Sequence, residues 1–333
     1  MPNAHIIGLG HYLPDNVITN DDLSELMDTS DKWITDRTGI KERRYANPNE
    51  GPSDLAVHAA KNAIEKAGIN KDNIEFIIFA TSTPDYYIPG SSSLFQEKMG
   101  LNNIGALDIR VQCSGFIYGL SIAEQYIKTS QFKNILVIGS EVQSTAMDLT
   151  TRGRDTAVIF ADGAGAAVVS STKIGGRILS THLRSEGKYA KELWVEYPSS
   201  CSQPTIDYDK IDDGKHFLKM NGKEVFKHAV RRFPEIIIEG LQHNKLDIKD
   251  LDILIPHQAN LRISKFIQKK LNLADHQIFS NIHKYGNTTA ASIPIAFSEA
   301  LNENKISNGD IVVLASFGSG FTWASCIIKW IKT

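Results

Sequence analysis

The chain has 333 residues, 42% of them hydrophobic, with 36 basic and 38 acidic side chains and a formal net charge of −2. That length exceeds one ordinary core and points to two domains or two halves of one large fold. The balanced charge offers no global field for nucleic acid or an anionic membrane, and no apolar run reaches the ~20 residues of a membrane span. Three cysteines, Cys113, Cys201 and Cys326, have the spacing of neither a disulfide framework nor a zinc site. Met1-Pro-Asn-Ala-His5 lacks a basic leader, so a cytoplasmic location is expected.

In chain order, helical periodicity over Leu55 to Ala67 precedes an apolar strand, Ile74–Ile78. The run before Cys113, beginning at Leu107, reads as a buried strand. After Cys113 come Ser114, Gly115 and a helical pattern of Phe116, Leu120, Ala123 and Ile127. This helix carries only Glu124 and Lys128, as a buried central helix should. Cys113 therefore falls at a helix N-terminus, where free N–H groups and the dipole favour the nucleophilic thiolate. The competing reading is a small apolar residue filling a core.

A strand over Asn134–Ile138 follows. Ala157 to Ser170 reads as two apolar strands about an Asp162-Gly163 turn, and its Gly-x-Gly lacks the rest of a dinucleotide fingerprint. Ile174 to Ser185 looks like a strand that starts a crossover. Tyr197 to Lys215, polar and containing Pro198 and Pro204, reads as a surface loop. A helix over Val225 to His243, a strand over Leu251–Ile255, a helix over Ser292 to Asn302 and a strand over Asp310–Leu314 complete the series.

The series repeats. Ile74–Ile78 resembles Leu251–Ile255 at an offset of 177, and Asn134–Ile138 resembles Asp310–Leu314 at 176, each preceded by its helix. On the same register Cys113 falls on Asn287, an offset of 174. A duplicated βαβ half predicts an α/β protein in five layers, α-β-α-β-α, with halves 1–174 and 175–333.

Thiol chemistry on an acyl group needs an oxyanion site and groups that manage protons or charge beside the sulfur. Strand ends supply candidates, as open α/β sheets do for their ligands. His257 follows its strand in Pro256-His-Gln-Ala-Asn260, and Asn287 lies in His283-Lys-Tyr-Gly-Asn287. Phe317-Gly-Ser-Gly-Phe321 is small enough for close backbone approach. A structural histidine, a helix N-cap and a plain turn are the respective alternatives. Two basic helix faces, Arg262/Lys265/Lys269/Lys270 and Lys223/Lys227/Arg231, are either solvated surfaces or a dock for an acidic partner.

Motifs across the chain resemble those of the β-ketoacyl-acyl-carrier-protein synthase III family, thiolase-fold condensing enzymes that start bacterial fatty-acid synthesis. They are Asp31-Lys-Trp-Ile-Thr-Asp-Arg-Thr-Gly-Ile40, Cys113-Ser-Gly-Phe116, Phe160-Ala-Asp-Gly-Ala-Gly-Ala-Ala167, Pro256-His-Gln-Ala-Asn-Leu-Arg262, His283-Lys-Tyr-Gly-Asn-Thr-Thr-Ala-Ala-Ser292 and Phe317-Gly-Ser-Gly-Phe-Thr-Trp323. The resemblance implies a thiolase-like fold and a decarboxylating acyltransferase without metal or cofactor. Cys113 would be the nucleophile, and His257 and Asn287 the stabilisers of the malonyl-derived enolate. The backbone N–H groups of Cys113 and Ser319 would form the oxyanion hole. Trp33, Arg37, Thr38, Arg152 and Phe226 would bind CoA, and Phe317 and Ile88 would bound the acyl pocket, with Ile88 acting from the partner of a homodimer. Lys227, Arg262, Lys269 and Lys270 would dock the acyl carrier protein. The chain departs from the common family pattern at Arg110-Val-Gln112, Ser319, Lys223 and Ile88. The last of these implies acyl groups longer than acetyl. A relative with another acceptor, a Cys113–His257 hydrolase and an acyl-CoA-binding protein remain as alternatives.

Overall fold

In the computed structural model, which describes residues 1–331, the apolar runs form nine strands of one sheet. They are β1 (His5–Tyr12), β2 (Phe76–Ala80), β3 (Gly105–Ile109), β4 (Asn134–Val142), β5 (Asp162–Ser170), β6 (Gly175–Ser185), β7 (Ile253–Pro256), β8 (Ile311–Gly318) and β9 (Thr322–Ile331). Their spatial order is β7-β8-β9-β6-β1-β5-β4-β2-β3. The sheet is continuous only through β1 and β6, which share two pairs, His5↔Arg177 and Ile6↔Gly176. It is therefore two leaves, β1 to β5 and β6 to β9. Each leaf has a parallel ladder, β3-β2-β4 in one and β7-β8 in the other. The two leaves carry the sequence repeat.

Six helices matter for the site: α1 (Asp31–Thr38), α2 (Pro52–Ala67), α3 (Gly115–Lys128), α4 (Gly222–His243), α5 (Leu261–Leu271) and α6 (Ser292–Asn302). Phe116, Leu120 and Ile127 of α3 and Ile293 and Phe297 of α6 share one core with Val137 and Val169 of the first leaf and Leu314 and Ile328 of the second. These two apolar helices are the middle layer. Leu55, Ala59 and Ala63 of α2 cover the outer face of the first leaf. Phe233 and Ile237 of α4, with Ile263 and Ile267 of α5, cover that of the second. The five layers are those the repeat predicts. The α2 layer lies so close that a Cβ on Gly10 would stand 2.3 Å from the Ala59 carbonyl oxygen.

Three local expectations change. The strand before Cys113 is not buried: β3 is the sheet edge, and Gly105, Ala106 and Asp108 are exposed. Asp162-Gly163 is not a hairpin turn. It opens a single buried strand, β5, because the Asp162 carboxylate accepts from the Ala46 N–H at 2.7 Å and the Ser144 N–H at 2.8 Å. The Tyr197–Lys215 segment includes a short helix, Tyr208–Asp212, and Tyr197 itself is buried.

Candidate active site

Cys113 lies in one 3₁₀ turn, Gln112–Ser114, that runs directly into α3. Asn287 precedes a matching turn, Thr289–Ala291, that runs into α6. Both central helices thus begin at a candidate functional residue. The residue before Cys113, Gln112, has φ +43°, and Gly286 before Asn287 has φ +64°. The first is strained for a residue with a side chain, as happens at working turns, and the second is open to glycine without strain.

Asn287 has little freedom. Its Oδ1 accepts the Thr289 N–H at 2.9 Å. The amide nitrogen is left as a hydrogen-bond donor. His257 follows β7, and its backbone N–H donates to the Ala315 carbonyl at 2.8 Å. Its Nδ1 lies 2.6 Å from Ser292 Oγ, which also accepts the Gln258 N–H at 3.4 Å. The Ser292 hydroxyl hydrogen has no other acceptor among the described residues, so it is assigned to Nδ1, and the ring carries its own on Nε2. Nε2 is buried and has no partner among the described residues. Burial lowers His257 to about 3, so the ring is neutral at ordinary pH. The result is a neutral, pre-aimed donor.

The thiolate expected from the helix N-terminus is overturned. Burial pushes the Cys113 thiol up to about 12, and the Glu141 carboxylate acts in the same direction. Removal from water outweighs what the helix start returns. The groups that pull the other way are the backbone N–H groups of Cys113 and Ser319, the two expected to form the oxyanion hole. Gly318 packs hard on this turn: a Cβ there would lie 2.6 Å from the Cys113 Cβ and 2.8 Å from Sγ. The Ser319 hydroxyl donates to the Leu193 carbonyl and holds the loop.

These groups share one cavity of about 480 Å³. Its buried end is lined by Cys113, His257, Asn287, Phe317 and Gly318, and its exposed end by Arg37, Lys223 and Arg262. Trp33, Thr38 and Phe226 line the walls between. Helix α1 presents Trp33 and Arg37 together because they are four residues apart. The helix is capped by the Ser30 hydroxyl on the Trp33 N–H at 3.2 Å and ends at Gly39, φ +78°. The Thr38 hydroxyl is already engaged, donating to the Ile34 carbonyl at 2.7 Å and accepting the Ile40 N–H at 3.0 Å.

Arg152 is elsewhere. Its Nε donates to Asp148 at 2.6 Å, and its guanidinium lies over Phe217. Arg154 lies 4.6 Å from the Trp33 ring centroid, with Arg37 at 4.3 Å, but does not line the cavity. Arg152 and Arg154 are two residues apart, and spacing alone does not tell which of them meets Trp33. Ile88 is 81% exposed, beside exposed Tyr86 and Tyr87, and does not line this cavity. Lys227, Lys269 and Lys270 are exposed outside it, with Lys227 paired to Glu224 at 3.1 Å. Ser292 and Glu141 were not singled out in the sequence. Ser292 at least stands inside the Asn287 motif, whereas Glu141 has no local signal.

Residues 107–187 match the sequence family described as 3-oxoacyl-[acyl-carrier-protein (ACP)] synthase III, and residues 241–330 match that family's C-terminal part. The chain is 45% identical over 329 residues to a protein named beta-ketoacyl-[acyl-carrier-protein] synthase III from Caldanaerobacter subterraneus subsp. tengcongensis, covering 99% of this chain and 98% of the relative. It is 46% identical over 327 residues to the protein of that name from Clostridioides difficile, covering 98% of each. The crystal structure of 3-oxoacyl-[acyl-carrier-protein] synthase III from Aquifex aeolicus superposes with a TM-score of 0.90 at 41% identity, over 98% of this chain and 100% of that one.

Proposed function

The chain belongs to the 3-oxoacyl-[acyl-carrier-protein] synthase III family, and on that premise we propose that it joins an acyl-CoA primer to malonyl-acyl-carrier protein, the step that initiates fatty-acid synthesis. The observation that carries this reading is the convergence of Cys113, the free Nε2 of His257 and the Asn287 amide at one buried cavity end.

The chemistry follows from those atoms. Cys113 sulfur attacks the thioester carbonyl, and the negative oxygen is held by the N–H groups of Cys113 and Ser319. The C–S bond to CoA breaks, and the CoA sulfur ends with the proton the thiol gave up. The transfer is proton-neutral overall, but the sulfur must shed its proton as it attacks, because the thiolate is the nucleophile. Malonyl-carrier protein then enters. Its carboxylate leaves as CO₂, and the electron pair passes into an enolate whose oxygen accepts from His257 Nε2 and Asn287 Nδ2. The enolate carbon attacks the Cys113 thioester and expels the sulfur, which takes up a proton. Loss of CO₂ drives the condensation, so no metal or redox group is required.

The two halves, 1–174 and 175–333, would contribute the nucleophile and the enolate donors respectively. Trp33, Arg37 and Phe226, with Arg154 in place of Arg152, would receive CoA at the cavity's open end. The edge strand β3 and the exposed Tyr86–Ile88 segment support a homodimer, in which Ile88 would close the partner's acyl pocket. No helix among the described residues is long and apolar enough to cross a membrane, and a cytoplasmic site of action fits the chemistry.

Purified chain is tested with acyl-CoA and malonyl-carrier protein against a Cys113→Ala control. The expected result is a Cys113 acyl adduct by intact mass, then CO₂ and ketoacyl product. Adduct without product in the presence of malonyl-carrier protein would point to another acceptor. Rapid CoA release without acceptor would point to a hydrolase.

The carrier dock makes a separate prediction. Helix α5 turns Ile263, Ile267 and Leu271 inward and leaves Arg262, Lys265, Lys269 and Lys270 exposed around Phe266, itself 42% exposed. A positive rim about an aromatic centre suits an acidic partner. The double substitution Lys269→Glu, Lys270→Glu is expected to raise the KM for malonyl-carrier protein by about tenfold or more, with Cys113 acylation by acyl-CoA unchanged. Equal loss on both substrates would remove the dock.

A further inference from the structure

Glu141 is a fully buried carboxyl group near the end of β4 that the condensation leaves without a task. Its oxygens accept from the Ser82 N–H (3.1 Å to each), Ser82 Oγ (2.8 Å), Thr83 Oγ1 (2.8 Å), Thr81 Oγ1 (3.4 Å), Gln143 Nε2 (3.3 Å) and the Ala290 N–H (3.4 Å). No cation is paired with it among the described residues. A buried carboxyl group without a cation is costly, even with its hydrogen bonds made.

The donors come from two places that bear on the reaction. Ser82 and Thr83 begin the segment that ends at Tyr86–Ile88. Ala290 belongs to the turn after Asn287, the same turn whose Thr289 N–H holds the Asn287 side chain. A Cβ on Gly115 would meet both Ala80 and Ala290, so this turn also abuts the start of α3 beside Cys113. Around Glu141 the hydrogen-bonding neighbours are hydroxyls and amides from the 81–83 segment, the Ala290 turn and Gln143.

We propose that Glu141 is a positioning residue for the condensation: its carboxyl group ties the 81–83 segment to the turn after Asn287 and so holds the Asn287 amide in its aim. The proposal rests on the function proposed above. Burial raises Glu141 to about 7, so its charge develops within the working pH range.

Glu141→Ala takes the acceptor from the Ala290 and Ser82 N–H groups. Ketoacyl formation should then fall about 10- to 100-fold while Cys113 acylation by acyl-CoA stays within about twofold. A merely structural role would lower both steps together or neither, and either result would overturn the proposal. If the alanine variant does not fold, Glu141→Gln decides on the same two readouts, where unequal loss supports the proposal and equal loss or none refutes it. Acylation is read by intact mass without turnover, so absence of ketoacyl product from the unsubstituted chain would count against the function alone.

Discussion

Replacing Asn287 by alanine is expected to lower ketoacyl product formation by about 10²–10³-fold while Cys113 still takes an acyl group at close to its original rate. In the proposed reaction the two half-reactions use different donors. Acyl transfer would place its negative oxygen at the N–H groups of Cys113 and Ser319, the two that reach the sulfur. Decarboxylation would place its enolate oxygen between His257 and Asn287. The Asn287 amide is useful there because the Thr289 N–H has already taken its Oδ1, so Nδ2 needs no reorientation as charge builds. Intact-mass measurement of the acyl adduct and CO₂ release from malonyl-carrier protein read the two steps separately. Equal loss of both would mean that Asn287 serves the whole turn rather than the enolate.

The partner donor, His257, stays neutral over the working range because burial lowers it to about 3. The same shift has a cost in acid. Below about 6.5 the unfolded ring takes up a proton that the folded ring refuses until about 3. The unfolded state binds more protons in that window, so stability falls as pH drops through it. Activity lost in acid should therefore follow unfolding of the chain rather than protonation of a folded donor.

Replacing Gly318 by alanine should abolish both steps together, with a fall of about 10³-fold in Cys113 acylation. The added methyl group would sit 2.6 Å from the Cys113 Cβ and 2.8 Å from Sγ. Neither contact is attainable, so the nucleophile turn and the Gly318–Ser319 strand end must separate. That separation pulls the Ser319 N–H away from the sulfur and dismantles the oxyanion site. The backbone at Gly318 is not left-handed, so alanine brings no conformational strain of its own. The defect should be confined to the site, with thermal unfolding little changed and the acyl adduct missing from the mass spectrum. Normal acylation in this variant would show that the close packing has no role in catalysis.

The elements were legible because they are written locally. The 3.6-residue period of Leu55 to Ala67 and Phe116 to Ile127 marks α2 and α3 without reference to anything distant, and the duplicated order of helix and strand implies the five layers. Cys113 and His257 could be picked out because each follows a strand, where an α/β sheet puts its chemistry, whereas Asn287 follows a short helix, Ile282–Tyr285, and was marked by the register of the repeat. The protonation of the thiol was not legible, because it depends on burial beneath the oxyanion loop and on a carboxylate from another strand. Nor was the tautomer of His257, which is set by a serine 35 residues away. Trp33 faces Arg154 rather than Arg152 because Arg152 is drawn to Asp148. The run before Cys113 is apolar, yet it lies at the sheet edge, since hydrophobicity reports that a strand wants cover and only the assembled sheet reports whether it has any. By itself the sequence determined the repeated helices and strands and which side chains are candidates for the chemistry. The tertiary structure alone decided their charge, their tautomer and their neighbours, because desolvation and hydrogen bonding act through space between residues the chain keeps far apart.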